Sequence, residues 1–220
     1  MKNWRIFIFI GIAVLLNSCI IKSIQPFYTA ESLSYNAELL GNWTDNKKGQ
    51  WKVESLKSKF EEDRKEGVAI SEYQIKTFNK YKDGYYIEYI KDRKSAGFIA
   101  MPFKIDTQYF LDFIPLEYEA EDLNRIAAQH LVNAHSVAKL DIDKGTNISF
   151  NWLDEDNVKD LINAEKLRIK HETIGIQEDI LLTASSSELY AFLKKYQKAD
   201  IENKWKNSES LQLTKSNAKP

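Results

Sequence analysis

Across residues 40–183 the chain is a succession of short runs in which apolar and polar residues alternate, broken by Asn, Asp, Gly and Lys. A period of two puts every second side chain on one face of a strand, so the pattern restricts the chain to a mainly β fold of antiparallel hairpins. In residues 99–105, Ile99, Met101, Phe103 and Ile105 share a face. Pro102 has no N–H to give to a ladder and marks an edge or a bulge there. Residues 109–113 repeat the alternation after Asp106-Thr107-Gln108, which predicts a hairpin. A second hairpin is expected over residues 69–90, with Tyr73, Ile75 and Thr77 on one arm and Asp83-Gly84 in the turn. A third joins Ala138, Leu140 and Ile142 to Ile148, Phe150 and Trp152 across Asp143-Lys144-Gly145-Thr146. Adding the strand of Trp51 and Val53 and two more over 168–174 and 179–183 brings the number near that of a closed antiparallel barrel.

Helical spacing is confined to a few places. Leu189, Phe192, Leu193 and Tyr196 fall at i, i+3, i+4 and i+7 behind Ser185-x-x-Glu188, a capping-box signature that predicts a helix over 186–199. Val158, Leu161 and Ile162 predict a shorter one near 155–165, with Asp154 or Asp156 accepting from its free N–H groups. Leu123, Ile126 and Ala127 allow a third within 117–131. Residues 57–67 are almost all charged and read as a solvated loop. Residues 206–220 are polar and read as a disordered tail. The expected body is therefore one β-barrel-like domain over residues 38–205, with a C-terminal helix and one or two short helices.

The N-terminus sets the expected address. Lys2 and Arg5 precede an unbroken apolar run from Ile6 to Leu16. As a helix, such a run rises only about 16 Å, short of the roughly 30 Å hydrocarbon layer, so it reads as a signal peptide over residues 1–18 and not as a membrane span. Leu16-Asn17-Ser18-Cys19 resembles the lipobox of bacterial lipoproteins of the Bacteroidetes type. That resemblance implies cleavage before Cys19 and lipid attachment to it, with the protein anchored in the cell envelope, at the outer membrane and facing the periplasm. Cys19 is the only cysteine, so its acylation leaves no thiol for a disulfide or a metal. Residues 19–37 sustain neither period and contain Pro26, which predicts a lipidated tether.

Two further resemblances bear on the body. Leu39-Leu40-Gly41-Asn42-Trp43 is similar to the Gly-x-Trp opening of lipocalin-like proteins, which implies a tryptophan at the barrel floor and an apolar cavity; the family's Thr-Asp-Tyr motif and terminal arginine have no counterpart. Residues 85–200 resemble an uncharacterised group of Bacteroidetes lipoproteins. The likeness runs through Tyr109-Phe110-Leu111-Asp112, Trp152-Leu153-Asp154, Lys170-His171-Glu172 and residues 182–189. No activity comes with that second likeness.

Reactive constellations are sparse in the sequence. The basic and acidic residues number 31 and 32, for a net charge of −1, which excludes the strong positive field of most nucleic-acid binders. Removing residues 1–18 leaves −3, which adds no attraction to anionic lipid. His130 and His135 lack zinc-like spacing, and with the distant His171 they suggest no metal site. Ser185-Ser186-Ser187 precedes an apolar helix and reads as a cap, not a nucleophile. Glu119, Glu121, Asp122, Asp154 and Asp156 read as surface acids. No catalytic residue and no cofactor is predicted. The aromatic side chains Trp43, Tyr89, Phe103, Phe113 and Phe150 are expected inside the barrel, either packing it or lining a ligand site. The leading expectation is a non-enzymatic, lipid-anchored module for a small apolar ligand or envelope component. The alternative is an interaction protein with a filled core that binds another envelope protein.

Overall fold

The computed structural model describes residues 20–67, 69–118, 132–143, 146–202, 204–205 and 209–216. In chain order these form β1 (Lys22–Ser23), β2 (Gly41–Asp45), β3 (Gln50–Ser55), α1 (Leu56–Lys65), α2 (Glu72–Tyr81), β4 (Tyr85–Lys91), β5 (Lys94–Ile105) and β6 (Gln108–Tyr118). There follow β7 (Ser136–Asp143), β8 (Asn147–Trp152), α3 (Glu155–Asn163), β9 (His171–Ile174), β10 (Asp179–Leu182), α4 (Ser186–Lys198) and β11 (Leu211–Lys215). Strands β2 to β8 run as an antiparallel meander, and β11 pairs with both β8 and β2 to close an eight-stranded, lipocalin-like barrel. The remaining strands make a small sheet, β1-β10-β9, on its outside.

The alternation predicted for β5 and β6 is present: Phe103 pairs with Phe110 and Ile105 with Gln108. Its inward face is the opposite of the one the apolar count suggests. Phe98 and Ala100 belong to the barrel's inner cluster, whereas Phe103 and Ile105 belong to a second core on the outer surface with Phe27, Phe110, Leu189 and Leu193. Phe103 is thus misassigned to the barrel interior. Both faces of β5 are apolar because both are covered, and alternation alone cannot say which cover is the barrel. Pro102 sits where β5 runs on past β4, and its carbonyl there accepts from the Ser34 N–H at 2.9 Å. The register shift of β5 lies elsewhere, between Gly97 and Phe98.

The second core is assembled by α4 and the N-terminal segment. Leu189, Phe192, Leu193 and Tyr196 are buried, each contributing about 1.5–3 kcal/mol on leaving water. The capping box forms as the spacing predicts: the Glu188 N–H donates to Ser185 Oγ, and the Ser185 N–H donates to Glu188 Oε2 at 2.9 Å. Asp154 caps α3, its Oδ1 accepting from the Asn157 N–H at 2.9 Å.

Four expectations are corrected. Residues 20–37 are no tether: Ile21 and Phe27 are fully buried, and the segment crosses the outside of β7, β6 and β5 from Leu153 to Tyr85. Residues 57–67 include most of α1, whose charges pair within the helix, as Lys59 does with Asp63 at 2.9 Å. The first arm of the 69–90 hairpin is the helix α2, begun by a capping box in which Ser71 Oγ accepts from the Gln74 N–H at 3.2 Å. The tail at 206–220 contains β11, because five alternating residues suffice when both flanks are unpaired strand edges. The helix expected within 117–131 falls outside the described residues from 119 onward.

Candidate functional site

Three places bear on what the protein does. The first is the barrel interior, where the inward faces of β2, β3, β4, β6 and β8 meet. Trp51 lies 4.5 Å from Tyr89 and 5.4 Å from Phe150, ring centre to ring centre, and Phe113 lies 6.0 Å from Phe150 and 4.8 Å from Trp152. These are contact separations for aromatic pairs, so the rings fill the axis by packing on one another. Of the residues expected here, Trp43, Tyr89, Phe113 and Phe150 line this cluster and Phe103 does not. Burial, then Asp45, Asp92 and Glu209, push the Tyr89 phenol up to about 12, which keeps it neutral. Trp43 closes one end: its Nε1–H donates to the Leu39 carbonyl at 2.9 Å, and Lys215 Nζ stands 5.2 Å from its ring centre. The terminal arginine the lipocalin likeness calls for is absent, and a lysine on the closing strand covers the tryptophan.

The second place is an open groove of about 870 Å³ outside the barrel, between α4 and the segment that follows α3. Leu161, Leu167, Ile169 and Phe192 make it apolar, and Lys166, Lys170 and Lys195 stand around it. The sequence reading missed it because its walls come from three separate segments, none with a motif of its own. The nearest signal was the side of the α4 pattern carrying Ala191 and Lys195 beside Phe192, small and cationic next to the core stripe.

The third is a buried polar node on the outer face of β6. Asp112 is fully buried; its Oδ1 lies 2.6 Å from His135 Nδ1, and its Oδ2 accepts from the Phe27 N–H at 2.7 Å. Burial raises its carboxyl above the usual range, while His135 and the Phe27 N–H pull it back. Ser23 is adjacent, exchanging backbone hydrogen bonds with His135 at 2.8 and 2.9 Å. Serine, histidine and aspartate therefore meet, but the Ser23 hydroxyl is engaged by backbone: it donates to the Leu182 carbonyl at 3.3 Å and accepts from the Gln25 N–H at 3.2 Å. This geometry fastens the N-terminal segment to the barrel. His171 Nδ1 lies 2.8 Å from the Ile169 carbonyl, and His130, Glu119, Glu121 and Asp122 lie outside the described residues. Among the described residues no three metal-ligating side chains cluster, and no helix is long and apolar enough to cross a membrane. Comparison with known protein families, with curated proteins and with solved structures finds no match for this chain.

Proposed function

We propose that the protein is a non-enzymatic envelope module, lipid-anchored at Cys19, that binds a small amphiphile on the outside of its barrel. The observation that carries this reading is the contrast between the axis, occupied by Trp51, Phe113, Phe150 and Trp152, and the open apolar groove beside α4. A volume of about 870 Å³ is ample for a small ligand. Its lining also includes Glu188, which pairs with Lys170 at 3.6 Å, and Asp200; the apolar walls with Lys166, Arg168 and Lys195 suit an acyl or similar tail carrying an anionic head.

Ala191 is exposed and lines the groove, so Ala191→Trp fills it from the solvent side, over Phe192 and Tyr196 of the outer core. A fluorescent fatty-acid probe is expected to bind the wild type and to lose tenfold or more in affinity in this variant, about 1.4 kcal/mol, at unchanged thermal stability. Equal binding by both proteins, or none by the wild type, would reject the groove. A second reading, an accessory protein that meets another envelope protein, is favoured by α2, where Tyr73 is 75% and Ile75 46% exposed and no residue is buried. A photo-crosslinker at position 73 in the native envelope should then give one discrete adduct that Ile75→Glu removes; a diffuse smear unaffected by Ile75→Glu would count against it.

A further inference from the structure

We infer that the barrel rim carrying the N-terminus is a bilayer-facing surface whose two cationic hairpin tips, Lys47 with Lys48 and Lys91 with Arg93 and Lys94, meet anionic lipid headgroups. The inference rests on Cys19 being the lipid anchor. In an antiparallel meander, successive connections alternate between the two ends of the barrel, so the β2–β3 and β4–β5 turns share a rim with the exit from β8. Ile20 pairs with Asp154, two residues past the end of β8, and the N–H of the fully buried Ile21 donates to the Leu153 carbonyl at 3.1 Å. One Cα step of about 3.8 Å separates Ile20 from Cys19. Acyl chains on that residue therefore draw this rim, and not the opposite one, against the membrane.

The tips are built to present cations. Asp45 is buried and holds the first turn: its Oδ1 accepts from the Lys47 N–H at 2.8 Å and the Gly49 N–H at 2.7 Å, and its Oδ2 from Trp51 Nε1–H at 2.8 Å. The second is a two-residue turn in which Asp92 and Arg93 both have positive φ, +50° and +63°, a conformation for which Asp-Gly or Asn-Gly is the easier sequence. Lys48 is likewise left-handed at +66°. Among the described residues six non-glycine positions are left-handed; Lys48 and Arg93 are the only cations of the six, and both are exposed at this rim. Among the described residues, Lys47 pairs with Glu209 at 3.3 Å and Asp92 stands between Lys91 and Arg93; residues 119–131, which join β6 to β7 at this same end and carry Glu119, Glu121, Asp122 and Arg125, lie outside the described residues. Toward the opposite rim the β5–β6 turn carries Asp106, paired with Lys198 at 3.3 Å, the β7–β8 turn has Asp143 and Lys144 in its sequence, and the β3–β4 connection carries both signs, with Lys57 paired to Asp83 at 2.7 Å. Because screening confines headgroup attraction to about one Debye length, roughly 8 Å at physiological salt, the exposed Lys48 and Arg93 at the two tips act on headgroups at contact whatever the negative charge of the whole chain.

The test uses the full, acylated chain in vesicles, with a fluorophore at Lys48→Cys or, at the opposite rim, Thr107→Cys. Acylation of Cys19 leaves the introduced thiol as the sole reactive one, and Lys48→Cys removes a cation, which biases against the inference. A headgroup quencher is expected to act roughly threefold more strongly at 48 than at 107, more so with phosphatidylglycerol than with phosphatidylcholine alone, and less in high salt. Lys48→Glu with Arg93→Glu should remove the phosphatidylglycerol dependence. Equal quenching at both positions on a chain whose N-terminal peptide carries acyl mass would overturn the inference and leave the anchor standing. An N-terminal peptide without acyl mass would remove the anchor; the non-acylated full chain must then sediment with phosphatidylglycerol vesicles in a way the double substitution abolishes, and failure there overturns the cationic rim as well.

Discussion

A chain ending at Ser210 is expected to lose cooperative folding. Strand β11 is five residues long, yet it holds both flanks of the barrel: Leu213 faces Ile148 of β8 and Asp45 of β2, Leu211 faces Phe150, and Lys215 faces Trp43. Leu211 and Leu213 are 7% and 1% exposed, and together their burial contributes about 3–6 kcal/mol. Removing the strand also strips the ladder from β2 and β8, leaving two long edges open to pairing with other chains. Against a total stability of about 5–15 kcal/mol, that loss leaves little or nothing. Leu213→Ala should cost about 2–5 kcal/mol, while Thr214→Ala, on the exposed side of the same strand, should stay within about 0.5 kcal/mol. The measurement is urea unfolding followed by tryptophan fluorescence, since Trp43 and Trp51 lie in the cluster that would open. A shortened chain with a single transition at the wild-type midpoint would refute the closing role.

What was legible in the sequence follows from whether a segment's structure is decided locally or by distant neighbours. The β5–β6 and β7–β8 hairpins, α3 and α4 carry period and punctuation within themselves, and they form where expected. Helix α2 was misread although Ser71-x-x-Gln74 announces a capping box, because Tyr73, Ile75 and Thr77 alternate as a strand would; Tyr73 and Ile75 are exposed and Thr77 only half-buried, so no core fixes that period. The N-terminal segment and β11 look like loose chain in the sequence because their partners are remote. Phe27 finds Asp112, and Leu213 finds Asp45, at separations no local pattern encodes. The candidate site divides the same way. Four of the five aromatics expected inside the barrel are there, since alternation and the Gly-x-Trp opening both bear on them, whereas Phe103 could not be placed without knowing that a second layer covers β5. The outer groove exists only once α3, α4 and the segments flanking them are assembled.

The largest single-residue effect is expected at Asp112. Asp112→Ala leaves His135 and the Phe27 N–H without their shared acceptor in a fully buried place, at a cost of about 3–5 kcal/mol. Asp112→Asn keeps an oxygen for the Phe27 N–H and should cost on the order of 1 kcal/mol. The two variants also separate a packing role from an electrostatic one through pH. Burial raises the folded-state carboxyl above its unfolded value of about 3.9, so between that value and the raised one the native protein binds more of this proton than the unfolded chain does. The stability this group contributes is complete below the unfolded value and declines as pH rises through the folded one. Acid-sensitive carboxylates elsewhere are common to wild type and Asp112→Asn, so the difference between the two reads Asp112 together with the His135 imidazole 2.6 Å from it. Over the pH range upward from the unfolded value of about 3.9 the wild type should lose ground to Asp112→Asn, opposite in sign to a carboxylate held mainly by a salt bridge. Urea unfolding of both proteins across that range reads the slope directly. A difference that instead grows with pH would mean that His135 and the Phe27 amide outweigh burial, and that the node draws the N-terminal segment onto the barrel as an ion pair.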